Sequence, residues 1–175
     1  MIENVILVDV NDNELGIMEK MKAHEEGLLH RAFSVFVFNS KGEILLQQRN
    51  KNKYHSGGLW SNTCCSHPRP GESIKDAAHR RLREEMGMEA DLLHAFSFVY
   101  KSDLDNELTE HELDHVFLGE TNSLPNMNEE EVEDYRYVTI EYLQQDIKKN
   151  PNHYTEWLKI CFDNLLKFRK NEQNN

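Results

Sequence analysis

The sequence predicts a mixed α+β fold, a β-sheet sandwich flanked by helices and ending in an amphipathic helix. Three observations predict it. Short apolar runs of strand length recur along the chain, one central stretch carries both the start and the stop signals of a helix, and the last apolar segment repeats by threes and fours. Strands dominate with helices inserted between them, which is not the regular alternation of a βαβ series.

The elements follow in order. "NVILVDV" reads as a first strand, and "NDNELG" as the turn after it. "HRAFSVFVFNSKGEILLQQRN" reads as a hairpin, two apolar strands about the turn "NSKG". "NKNKYHSGGLWSN" is loop-like. "PGESIKDAAHRRLREEMGM" is the clearest helix: Pro70 and Gly71 precede it, acidic Glu72 and Asp76 lie early, Gly87 follows the last turn, and Ile74, Ala77, Ala78 and Leu82 form one stripe. "LLHAFSFVYKSD" and "ELTEHELDHVFLGET" read as strands joined by a loop, and "VEDYRYVTIEYLQQDIKKNP" as a strand followed by a short helix. Tyr154, Leu158, Cys161, Leu165 and Phe168 place one apolar stripe on the final helix. A chain of 175 residues suits one domain, drawn here over 1–169 with a polar C-terminal tail at 170–175.

The net charge of −11 excludes nucleic acid as a general partner, because a phosphate backbone needs basic surface; it leaves room for a small anionic ligand in a local basic pocket. The acidic block "NEEEVED" reads as a solvated face. No apolar run reaches the length of a membrane span, and the N-terminus has neither the basic flank nor the cleavage site of a signal peptide. Three cysteines, two of them adjacent, do not form a disulfide framework, so the expected setting is reducing and cytoplasmic.

Period two singles out two residue pairs. Glu110 and Glu112 share a face if their segment is a strand, and Cys65 and His67 share one if theirs is extended. Two carboxylates on one face of an apolar strand need water or a cation beside them. With His24 and His30, which flank "EEGLL", the residues His67, Glu110 and Glu112 make three imidazoles and two carboxylates, a donor set for octahedral Zn²⁺, Mn²⁺ or Mg²⁺.

The central helix is close to the Nudix signature, G-x5-E-x7-R-E-U-x-E-E-x-G-U with U apolar. Glu72, Arg80, Leu82, Glu84, Glu85, Gly87 and Met88 match it, Ser66 stands where the pattern has glycine, and Arg81 stands where it has glutamate. Replacing a Mg²⁺-binding carboxylate by arginine removes a metal ligand and adds a phosphate donor. A diphosphate site that handles metal differently from a hydrolase is the expectation.

"NTCCSHPRPGES", the altered Nudix helix, the acidic strand "TEHELDHVF" and "MEKMKAHEEGLLHRAFSVFVFNSKGEILLQQR" together resemble the type I isopentenyl-diphosphate Δ-isomerases, over about residues 5 to 160. The resemblance implies a Nudix-like fold and interconversion of isopentenyl and dimethylallyl diphosphate, a step of isoprenoid biosynthesis. It also implies a tight metal on His24, His30, His67, Glu110 and Glu112, a catalytic thiol at Cys65, an opposing carboxylate at Glu112 and a proton-relaying phenol at Tyr100. Diphosphate contacts fall on Lys20, Arg49, Lys53, Arg81 and Ser66, a substrate-associated Mg²⁺ on Glu85, and an aromatic lid on Trp157, with Trp60 as the other tryptophan. No flavin or nicotinamide motif is present, so no organic cofactor is expected; the chain is expected to be a monomer or homodimer. Two alternatives stay open: a Nudix hydrolase, which Arg81 disfavours, and a non-catalytic diphosphate- or metal-binding module, which has no need of Cys65 or Tyr100.

Overall fold

A computed structural model describes residues 3–104 and 106–173. Among them the strands are β1 (Asn4–Val8), β2 (Glu14–Glu19), β3 (His30–Phe38), β4 (Ile44–Arg49), β5 (Trp60–Ser61), β6 (Cys64–Ser66), β7 (Asp91–Asp103), β8 (Thr109–Glu120) and β9 (Val132–Val138). The helices are α1 (Lys20–Glu26), α2 (Ile74–Met86), α3 (Ile140–Lys149) and α4 (Glu156–Gln173). A mixed α+β architecture results.

Strand β3 organises the sheet. It is apolar almost throughout and buried from Ala32 to Phe38, as a strand covered on both faces must be. It pairs antiparallel with β1, β4 and β6, and parallel with β8. Its odd-numbered residues Phe33, Val35 and Val37 pack with Ala78, Leu82 and Met86 of α2. Its even-numbered Phe36 and Phe38 pack with Leu158, Phe162 and Leu165 of α4. The two helices therefore cover opposite faces of one sheet, and Cys64 and Cys161 are core residues, one in each layer.

The central helix begins and ends as its signals require. The Ser73 hydroxyl accepts the Asp76 N–H at 3.1 Å, capping the N-terminus. Gly87 closes the helix at φ 60°, and a Cβ there would lie 2.2 Å from the Asn126 carbonyl oxygen, so two independent constraints demand glycine.

Three readings change. The expected turn "NDNELG" already enters β2 at Glu14, and α1 follows directly; both elements are short and β2 is largely exposed, so they carry little periodic signal. The loop before the cysteine pair contains β5, a two-residue strand held by β4. Residues 170–173 of the expected tail continue α4, while 174 and 175 lie outside the described residues.

Candidate active site

The cleft face of the sheet is set by strand register. Pairing of β3 with β8 puts His30 beside Glu112, and pairing of β3 with β6 puts Ser34 beside Cys65. Alternation along each strand then aims His30, Cys65, His67, Glu110, Glu112 and Asp114 to one side. The third imidazole comes from α1, whose buried face carries His24.

His24, His30, His67 and Glu112 each present a donor atom, all within 4.8 Å of one another. The two helix- and strand-borne rings are oriented by backbone: His24 Nδ1 donates to the Lys20 carbonyl at 2.7 Å and His30 Nδ1 to the Leu28 carbonyl at 2.8 Å. That tautomer leaves each Nε2 lone pair facing inward. His24 Nε2 is buried with no hydrogen-bond partner among the described residues. His30 Nε2 and His67 Nε2 stand only 3.2 Å apart. An orphaned lone pair and two crowded nitrogens beside a carboxylate fit a divalent cation. Burial and the neighbouring rings of His67 and His30 push His24 down to about 4, so it is neutral and able to ligate at pH 7.

Glu110 lies outside that four-residue group and is tied to it by a phenol. Tyr100 Oη is 2.9 Å from Glu110 Oε2 and 2.7 Å from Glu112 Oε2. The two carboxyls divide: burial and the charge on Glu112 hold Glu110 well above the usual carboxylate range. Burial also opposes ionisation of Glu112, but the adjoining His30 and His67 rings, with His67 Nε2 at 2.9 Å, outweigh it and hold its carboxyl well below that range. Burial raises the Cys65 thiol and the Tyr100 phenol, so both keep their protons.

Cys65, Tyr100, Glu110, Glu112 and Trp157 line one cavity of about 70 Å³, with Phe33 as a further apolar wall. Trp157 is fixed by its Nε1–H, which donates to Ser61 Oγ at 2.9 Å, and by the Arg49 guanidinium 4.9 Å over its ring. Trp60 lies elsewhere, under the Arg136 guanidinium at 4.1 Å. A second, open cavity of about 400 Å³ adjoins the first and shares Lys20, Lys53, Ser66, His67 and Arg81 with it. The structure thus brings the basic residues to one mouth. Arg49 lines the inner cavity, and its Nε is buried with no hydrogen-bond partner among the described residues, a donor still unsatisfied.

Sequence reasoning missed several residues of this site. Glu131 pairs with Lys53 and with Arg81, whose NH2 is 3.4 Å away, and Glu3 pairs with Lys20. Glu131 belongs to the acidic block read as solvated; only the chain path from β8 to β9 carries it to the basic mouth. His55 is 4% exposed, packs its ring edge-on against Trp157 at 5.6 Å, and carries no motif to mark it. Asp114 continues the Glu110–Glu112 alternation by one step; its Oδ2 accepts the Ser34 hydroxyl at 2.8 Å, and burial with the charge on Glu112 raises it to about 8. Glu85 has both carboxylate oxygens engaged, by Arg81 Nε at 3.0 Å and Gln47 Nε2 at 2.8 Å.

A NUDIX domain model matches residues 28–158. A protein of Aromatoleum aromaticum named isopentenyl-diphosphate Delta-isomerase 2 is 52% identical over 95% of this chain and 88% of its own length. The chain belongs to the isopentenyl-diphosphate Δ-isomerase family, within the Nudix superfamily. A family member from Pectobacterium atrosepticum, isopentenyl-diphosphate Delta-isomerase, is likewise 52% identical, over 90% of this chain and 88% of its own. In fold, this isomerase-family chain resembles a crystal structure from Deinococcus radiodurans, with a TM-score of 0.74 at 19% identity over 90% of this chain and 96% of that one. It also resembles a MutT protein of Methanosarcina mazei, with a TM-score of 0.66 at 19% identity over 82% and 95%. Among the described residues no helix is long and apolar enough to cross a membrane.

Proposed function

We propose that this protein interconverts isopentenyl and dimethylallyl diphosphate, with Cys65 and Glu112 as the opposed acid–base pair. The observation that carries this reading is that both line a single small cavity whose mouth gathers Lys20, Arg49, Lys53 and Arg81. The diphosphate anchors in the basic mouth, and the five-carbon tail extends inward between Cys65 and Glu112.

The reaction adds a proton to the terminal alkene carbon, using the π electrons for the new C–H bond. The tertiary cation this leaves is quenched when the C–H electrons of the adjacent methylene, on its diphosphate side, become the internal double bond and that proton departs. One member of the pair gives the first proton and the other takes the second, and the roles exchange in the reverse direction. Each turnover moves one proton from one side of the cavity to the other. Tyr100, bridging Glu110 and Glu112, supplies a path by which the carboxylate side is recharged. The Trp157 face and the buried walls exclude water and favour the cation by about 1–2 kcal/mol for a good cation–π contact.

His24, His30, His67 and Glu112 would hold the tight divalent ion, with Glu110 as a further ligand once its carboxyl turns from Tyr100; Mn²⁺, Mg²⁺ and Zn²⁺ all suit this donor set. When bound, the ion supplies positive charge that makes the Glu112 side a stronger acid. Glu85 would hold the Mg²⁺ that accompanies the diphosphate, and Arg81, now paired with Glu85, would supply a phosphate donor beside it. Three free cysteines support a reducing, cytoplasmic setting.

The hydrolase reading is disfavoured by one contact set. Arg81 binds Glu84 at 2.9 Å and is paired with Glu85, occupying carboxylates that a hydrolase would give to Mg²⁺. The test is to incubate the protein with isopentenyl diphosphate and Mg²⁺ and to look for dimethylallyl diphosphate. Cys65→Ala and Glu112→Gln are each expected to lose at least about two orders of magnitude in turnover. Near-wild-type turnover in either variant, or release of inorganic phosphate in place of isomerisation, overturns the assignment.

A further inference from the structure

The face of the sheet turned away from the cleft carries a second cluster of imidazoles. His115 lies on β8 at odd parity, opposite in direction to Glu112 and Asp114, so it points away from the catalytic cavity. Its cross-strand partner on β7 is Ser97. The register of β7 shifts between His94 and Phe96, and this irregularity brings His94 onto the same face as Ser97, which simple alternation from 94 to 97 would forbid. The result is a tight group: His94 Nε2 to His115 Nδ1 is 3.3 Å, and Ser97 Oγ is 2.9 Å from the first and 3.0 Å from the second.

The group is oriented from behind. His115 Nε2 lies 3.0 Å from Asp12 Oδ2, so its proton belongs on Nε2, donated to the carboxylate, and Nδ1 carries the free lone pair. Asp12 is held in turn by Arg31, whose Nε donates to Oδ1 at 2.7 Å and whose NH2 donates to the Asp12 carbonyl at 3.0 Å. This carboxylate–histidine arrangement is the one that presents a ring nitrogen to a metal. Two imidazole nitrogens at about 2.0–2.1 Å from one tetrahedral ion stand roughly 3.3 Å apart. The observed separation therefore already suits an ion. His94 is exposed, leaving open directions for water ligands, and His115 is half-buried.

We propose that His94 Nε2 and His115 Nδ1, with Ser97 Oγ beside them, form a second divalent-metal site that takes an imidazole-preferring ion such as Zn²⁺, Ni²⁺ or Cu²⁺. Two nitrogen donors with an open sphere favour these ions over Mg²⁺, which prefers oxygen. The site is exchangeable and lies outside the isomerase chemistry, so it stands whether or not the reading of the cleft does.

The probe is Ni²⁺ alone, titrated calorimetrically into the full chain and counted after equilibrium dialysis. Wild type is expected to bind one equivalent more than His94→Ala and one more than His115→Ala. Asp12→Asn is expected to retain that equivalent with affinity weakened about 10–100-fold, as loss of an orienting carboxylate does. His24→Ala, which damages only the cleft, is expected to keep it. Unchanged isomerase turnover and thermal midpoint in His94→Ala show that fold and cleft are intact. Equal Ni²⁺ stoichiometry in wild type, His94→Ala and His115→Ala overturns the proposal.

Discussion

Tyr100 holds its hydroxyl 2.7 Å from the Glu112 carboxylate, at the buried end of the cavity that Cys65 also lines. A phenol has one proton, and Tyr100 Oη is also 2.9 Å from Glu110. The arrangement is satisfied when Glu110 keeps its proton and directs it to the phenol oxygen, while Tyr100 donates to Glu112. Tyr100→Phe removes the bridge without changing the ring. Its turnover is expected to fall by about one to two orders of magnitude, with KM for isopentenyl diphosphate little changed, since the hydroxyl contacts Glu110 and Glu112 and none of the basic residues of the mouth. An unaltered kcat, measured with metal content matched to wild type, removes Tyr100 from the proton path.

The unpartnered His24 Nε2 makes a metal prediction specific to that side chain. His24→Ala is expected to lose its equivalent of tightly held divalent metal on dialysis, together with activity, while circular dichroism stays native. Chelation of the wild type is expected to do the same, reversibly on adding Mn²⁺ or Zn²⁺ with Mg²⁺. Full retention of metal by His24→Ala, read by elemental analysis, would show that the ion is held elsewhere.

Glu131 is paired with Lys53 and Arg81, the two cations proposed to hold the diphosphate. Those cations outweigh the burial that opposes its charge and hold its carboxyl below the usual range. On that proposal, a diphosphate entering the mouth would displace this carboxylate. Glu131→Gln is expected to lower KM, and the inhibition constant of inorganic pyrophosphate, by about two- to fivefold, the effect of a partly exposed ion pair worth up to about 1 kcal/mol. A rise in either constant would mean that Glu131 orients the two cations and does not oppose the ligand.

His55 supplies a pH dependence. Burial, helped by the Arg49 charge, pushes its ring from 6.5 to about 3. The unfolded chain therefore binds the extra proton between those values. Stability from keeping His55 neutral is fully present above about pH 6.5 and is lost as pH falls toward 3. The metal-free protein should accordingly lose thermal stability faster between pH 6.5 and 4.5 than His55→Gln does. Parallel pH profiles for the two proteins would contradict this.

Much of the site is legible from spacing because its local geometry is short-range. A period of two puts Glu110 with Glu112 and Cys65 with His67 wherever those strands end up. The helix pattern from Glu72 to Gly87 specifies its own start, stripe and stop, and Gly87 is required both by its dihedral angle and by the Asn126 carbonyl pressed against it. These features depend on residues a few positions apart, and the backbone enforces them on its own.

What only tertiary structure decided are relations between distant segments. The parallel register of β3 on β8 sets His30 beside Glu112, and the pairing of β3 with β6 brings Cys65 to the same face. The chain path after β8 turns Glu131 from a surface charge into a counter-ion at the mouth, and a shift of register in β7 gathers His94 with Ser97 and His115. No local pattern encodes these, because strand register and ion pairing across the fold are settled by which surfaces bury together.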